Sequence, residues 1–165
     1  FQAAYSGDLI WVPFYQRLRQ GELSSGEEAE QVALITTDLT RDAAVKSVRY
    51  LGHGRFHAEW RDAGDLLAVK MVSFVRRDAP ILTMKYLKDD RTISITGYAT
   101  SRANAQRLVA LGLGDEAGVL RVRTDGVVRE HNATTVAEEG AGVRLYTWRI
   151  TGVGDPPPRL VIALR

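Results

Sequence analysis

From Ala44 to Tyr98 the chain alternates apolar and polar side chains with a period of two, interrupted only by short stretches of turn residues. An extended backbone sends successive side chains to opposite faces, so this pattern reads as strands. Five follow: Ala44–Leu51, Arg55–Arg61, Leu67–Val75, Ile81–Leu87 and Thr92–Tyr98. The connectors Gly52-His53-Gly54, Asp62–Asp65, Arg76–Pro80 and Lys88–Arg91 are short and rich in turn residues. Connectors of this length join antiparallel neighbours, because a parallel pair needs a long crossover. Within Arg55–Trp60, Phe56, Ala58 and Trp60 share one face and Arg55, His57 and Glu59 the other, giving one buried and one wet side.

The flanking segments add helices and further strands. Ala3–Val12 is rich in aromatic and β-branched residues and reads as a strand; Pro13 then opens a short helical turn through Phe14 and Leu18, stopped by Gly21. Ser24 and Ser25 each precede a glutamate by three residues, a doubled capping-box pattern before Val32, Ile35 and Leu39, so residues 25–39 form an amphipathic helix. Ser101 caps a second helix, Arg102–Leu111, with Ala105, Leu108 and Val109 on one face and Gly112 and Gly114 as stops. Val119–Thr124, Val127–His131, Val143–Ile150 and Leu160–Leu164 are strands; the last is apolar on both parities, as in a strand covered on both faces, and Pro156-Pro157-Pro158 leads stiffly into it. The expected fold is a single α+β domain over residues 1–165: a curved antiparallel sheet of eight or nine strands with two helices packed on one side.

Composition narrows the function. At 165 residues, 45% hydrophobic and 25% charged, the chain can bury one core unaided. The formal net charge is +2, and arginines such as Arg17, Arg49, Arg76, Arg107, Arg129 and Arg159 are scattered among carboxylates, which argues against nucleic acid as a partner. Without cysteine there are no disulfides, thiolate metal sites or cysteine nucleophiles. No apolar run reaches the roughly 20 residues that span a bilayer. The chain starts at Phe1 rather than Met, so it reads as either processed or trimmed, and any membrane attachment is expected to run through an anchor outside these residues.

Chemical constellations are weak. His53, His57 and Glu59 have odd parity and zinc-type donors, yet His53 sits in a glycine turn and Arg55 between them repels a cation; a solvated face explains them. His131 and Asp125 lack a Gly-x-Ser-x-Gly elbow, and Ser6, Ser25 and Ser101 are accounted for by turns and caps. Gly112-Leu113-Gly114 follows a helix rather than a strand, the wrong place for a dinucleotide fingerprint. The pairs Glu27-Glu28, Asp89-Asp90, Asp115-Glu116 and Glu138-Glu139 lie in helix starts, turns or loops. The chain is therefore read as non-enzymatic, with no catalytic residues, metal or cofactor.

The C-terminal third carries Val122-Arg123-Thr124-Asp125-Gly126-Val127-Val128-Arg129-Glu130-His131-Asn132-Ala133, followed by Tyr146-Thr147-Trp148-Arg149-Ile150, and the chain opens on Tyr5-Ser6-Gly7-Asp8-Leu9-Ile10. These strings resemble the LppM-like domain of bacterial cell-envelope lipoproteins. The resemblance implies a secreted or lipid-anchored protein of the cell envelope, periplasmic or extracytoplasmic, with a β-rich domain similar to lipid-binding folds, and it brings no catalytic set. On their own chemistry Gly126 suits a positive-φ turn, Asn132 a backbone-bonded strand exit, and Trp148 a core anchor.

A surplus of apolar residues at 67–75 and 81–87 on both parities asks for a cover or a pocket. Trp60, Met71, Phe74 and Met84 are the expected lining of a groove between sheet and helix for a lipid or other amphiphile, the methionines being adaptable. The alternatives are a filled core in a protein-interaction or envelope-assembly module, with an envelope protein as partner, and an unfamiliar metal-dependent hydrolase.

Overall fold

The computed structural model describes residues 2–64, 71–74, 82–97, 101–114 and 117–164, with residues 71–74 and 82 as backbone only. Strand β1 (Gln2–Ile10) leads into helices α1 (Val12–Arg19) and α2 (Ser25–Thr40), then β2 (Val45–Gly52) and β3 (Arg55–Ala63). Strands β4 (Met71–Phe74), β5 (Leu82–Leu87) and β6 (Thr92–Gly97) precede α3 (Arg102–Ala110). Strands β7 (Gly118–Thr124), β8 (Val127–His131), β9 (Thr135–Glu138), β10 (Arg144–Ile150) and β11 (Arg159–Ala163) complete the chain.

The class is α+β with antiparallel pairing throughout, as the alternation requires. The strands divide between two sheets, ordered β2-β3-β1-β7-β10-β9 and β4-β5-β6-β11-β8. The division has a local cause. β1 occupies the free edge of β3, with Tyr5 opposite Trp60, and pairs on its other side with β7, with Tyr5 opposite Leu120. No place remains beside β3 for the next strand, so β4, β5 and β6 form their own meander in the second sheet. The hairpin expected between 55–61 and 67–75 is thus replaced by a change of sheet, whereas β2 and β3 do pair through Gly52-His53-Gly54. All three residues of that turn have positive φ, which the flanking glycines adopt without steric cost.

Two apolar clusters hold these layers. The larger joins the sheets face to face: Tyr5, Trp60, Leu120, Val122, Tyr146 and Trp148 meet Met84, Ile93, Ile95, Leu160 and Ile162. The smaller covers the remaining inner face of the six-stranded sheet with helices, where Phe14 of α1 and Ile35 and Leu39 of α2 pack on Leu9, Phe56 and Ala58. Pro lies at the start of α1 and the Ser24–Glu27 capping box is fully formed at α2, matching the start signals in the sequence. α3 buries no residue, and Val109, expected on its apolar face, is exposed. Its C-terminal end is held instead by polar ties: Tyr15 Oη and Arg19 Nη1 donate to the Leu111 carbonyl, and Arg55 Nη2 donates to that of Gly112.

Three details differ from the sequence reading. β11 buries only Leu160 and Ile162, while Val161 and Ala163 are half-buried, so one of its faces is closed and the other lightly covered. Gly126 does not have positive φ; a Cβ there would collide with Ile162 Cγ2, so glycine is required for close approach rather than for a turn. Strand β9 was not expected at all: its four residues, Thr-Val-Ala-Glu, are all exposed and carry no apolar period.

Candidate functional site

Alternation puts a second, wet surface on the far side of the six-stranded sheet from the core. On β1, Ala3, Tyr5, Gly7 and Leu9 are buried, so Ala4, Ser6, Asp8 and Ile10 face outward. The register then lines them up with outward residues of the neighbours. One row runs Arg49, His57, Asp8; the next Ser47, Glu59, Ser6, Val119, Arg149; the next Arg61, Ala4, Arg121, Thr147.

A hydrogen-bonded chain crosses the first two rows. His57 Nδ1 lies 2.8 Å from Asp8 Oδ1, and His57 Nε2 lies 3.1 Å from Ser6 Oγ. The His57 and Asp8 side chains are 28% and 31% exposed. A serine, an imidazole and a carboxylate in that order are the parts of an acyl-transfer nucleophile. Among the described residues, the surroundings lack the remaining part. Ser6 and Gly7 are paired on both sides, with Glu59 and Val119 and with Ala58 and Gly118, so their amides are the ladder's own donors, and the Asp8 amide donates to Ala117. Backbone donors aimed at a developing oxyanion supply much of the catalysis in such sites, and a flat ladder offers none. The chain of bonds fixes the His57 ring and ties β1 to β3.

Beyond Ser6, toward the start of β1, the outer face opens into a cleft of about 610 Å³ between the ends of β1, β3 and β7 and the turn from α2 into β2. Its lining mixes apolar side chains, Ala4, Ala44, Ala63 and Leu145, with basic ones, Lys46, Arg61, Arg121 and Arg123, beside Gln2 and one carboxylate, Asp62. Two of the cations are engaged: Lys46 Nζ donates to the Ala43 carbonyl and Arg123 Nε pairs with Glu139 at 2.7 Å. Among the described residues Arg61 and Arg121 form no ion pair or side-chain hydrogen bond. The volume lies in the range of small-molecule sites. A second cleft of about 760 Å³ lies between α1, the β2–β3 turn and the end of α3. Its Tyr15, Arg19 and Arg55 are the groups that tie down the carbonyls of Leu111 and Gly112, which leaves them committed to structure.

Of the four residues expected from sequence to line a groove, two stand in the core and two have side chains outside the described residues. Trp60 and Met84, each 1% exposed, belong to the core between the sheets, and no ligand reaches them unless the sheets part. Met71 and Phe74 fall in β4, whose side chains lie outside the described residues. His53 is confined to its turn and lines the second cleft, apart from His57. Among the described residues no three His, Asp or Glu side chains gather as a metal site. Trp148 is the core anchor expected, whereas Asn132 bonds distant partners rather than its neighbouring backbone. Asn132 Oδ1 accepts from Trp148 Nε1 at 2.8 Å and from the Arg159 amide at 2.7 Å, and its Nδ2 donates to the Pro157 carbonyl. The outward parity of Arg61, Arg121 and Arg123 was readable; that Ala4 would stand between Arg61 and Arg121 depended on pairing across more than fifty residues. No family profile, curated protein or solved structure matches the chain.

Proposed function

We propose that this chain is a non-enzymatic domain of a bacterial cell-envelope protein, of the LppM-like kind, that holds an anionic lipid or similar amphiphile on the outer face of its six-stranded sheet. The observation that carries the reading is the cleft beside Ala4, which apolar and basic side chains line together. An amphiphile has the same two halves, so one molecule can cover the alanines and neutralise the arginines together. The closed core around Trp60 and Met84 favours this outer site over an internal groove. The flat ladder at Ser6 supports binding rather than turnover.

Native mass spectrometry of gently purified protein, followed by organic extraction, tests the reading. One amphiphile per chain is the expected result. Bare protein that also binds no added alkyl amphiphile overturns it and leaves the envelope-assembly module with a filled core. A fluorophosphonate probe, which reports activated serines, is expected to leave Ser6 unlabelled; stoichiometric labelling that disappears in His57→Gln would replace the binding domain with a serine hydrolase.

A further inference from the structure

We infer that Arg61 and Arg121 form a clamp for a phosphate ester, seated above Ala4 and specific for phosphate over other headgroups. The inference deepens the amphiphile reading of the same cleft and rests on it.

The clamp follows from register. Ala4 is opposite Arg61 on one side and Arg121 on the other, and all three face outward. Two strand spacings separate the arginine backbones by roughly 10 Å. Between them stands only a methyl group, so the two long side chains can lean inward over Ala4 and meet around one small anion. A larger residue at position 4 would fill that gap. Neither guanidinium has a carboxylate partner among the described residues, whereas the neighbouring Arg123 is paired with Glu139.

The geometry selects the ligand. A guanidinium is a planar fork that donates two parallel hydrogen bonds, and two forks facing each other offer donors from opposite sides. A tetrahedral phosphate presents oxygens in both directions and carries up to two negative charges. A carboxylate is planar, has two oxygens and can satisfy one fork well. Lys46, held at the rim by the Ala43 carbonyl, adds positive charge without a directional demand. Ala63, two residues along β3 from Arg61, and Leu145, opposite Arg123 on β10, add apolar surface to the same cleft, so the ester's other half is hydrocarbon.

Isothermal titration with twelve-carbon probes below their micelle concentrations tests the clamp. Dodecyl phosphate is expected to bind at least tenfold more tightly than laurate or dodecyltrimethylammonium. Arg61→Gln and Arg121→Gln are each expected to weaken dodecyl phosphate by about tenfold or more, the loss typical of a charge-assisted hydrogen bond. Arg129→Gln, on β8 of the other sheet, should change nothing, and all three variants should keep the wild-type thermal midpoint. Ala4→Leu should abolish binding while both arginines remain.

Equal affinity for all three probes, unmoved by the arginine variants, overturns the clamp and leaves amphiphile binding standing. Failure of every twelve-carbon probe, with inorganic phosphate still binding through Arg61 and Arg121, keeps the clamp and removes the amphiphile. Sedimentation with phosphatidic acid vesicles, against phosphatidylcholine vesicles, distinguishes a bilayer source from a free lipid: co-sedimentation lost in Arg121→Gln supports the clamp on a membrane surface. Tighter binding of a single-stranded oligonucleotide than of dodecyl phosphate overturns the proposal in favour of a nucleic-acid face.

Discussion

Asn132 does more for this fold than its exposed position suggests. One carboxamide joins the turn after β8 to the lead-in of β11 and to the indole of Trp148 on β10, which belongs to the other sheet. Asn132→Ala leaves a largely buried indole N–H and a strand-opening amide without their acceptor. A cost of about 1–3 kcal/mol is expected, measured as a lower urea midpoint at unchanged slope. Asn132→Asp retains the shared acceptor oxygen and loses the donor to Pro157, so its midpoint should fall between those of alanine and wild type. This role was open to the sequence as a residue type and closed to it as a set of partners. An asparagine ending a strand announces a local backbone bond. Nothing in the linear order says that a tryptophan 16 positions later completes it. The same limit hid the chain of bonds through Ser6, His57 and Asp8, which exists only because residues 8 and 57 are opposite one another.

Among the elements, α2 shows how local signals were enough. Ser24 donates from its amide and hydroxyl to Glu27 Oε2, and the Glu27 amide donates back to Ser24 Oγ. The bond from the Ser24 amide, then that from its hydroxyl, holds the Glu27 carboxyl below its ordinary range. A carboxyl with a depressed folded value stabilises the fold above its unfolded value, and the contribution disappears as pH falls through the folded value. Glu27→Gln keeps a hydrogen-bonding cap without the charge. Its thermal midpoint should therefore lie below wild type at pH 7, with the gap closing as pH drops below about 4. At the same end α2 is tied to the β2–β3 turn by Tyr50, whose hydroxyl donates to Glu28 Oε1 and accepts from the Gly54 amide. Strands with an apolar period were as legible as this helix; β9, with none, was not.

For the molecule as a whole, the alternation foretold antiparallel strands and the class α+β, but not how they are shared between sheets. Sharing depends on which edge β1 takes, and residue types at an edge do not encode that. The consequence for Met84 is concrete. Read alone, an adaptable side chain in an apolar stretch suits a ligand groove; placed between the sheets beside Ile95 and Leu160, it is core. Met84→Ala should cost about 2–5 kcal/mol in chemical denaturation. At protein concentrations and temperatures where the variant stays folded, its affinity for dodecyl phosphate should equal that of wild type, because the cleft lies on the opposite face of the other sheet.

The central position of β1 also governs the order of assembly. Its partner β7 begins at Gly118, so during synthesis β1 must wait with an unfilled edge while more than a hundred residues between the two strands emerge. Such distant pairing slows folding and exposes a strand template to neighbouring chains in the meantime.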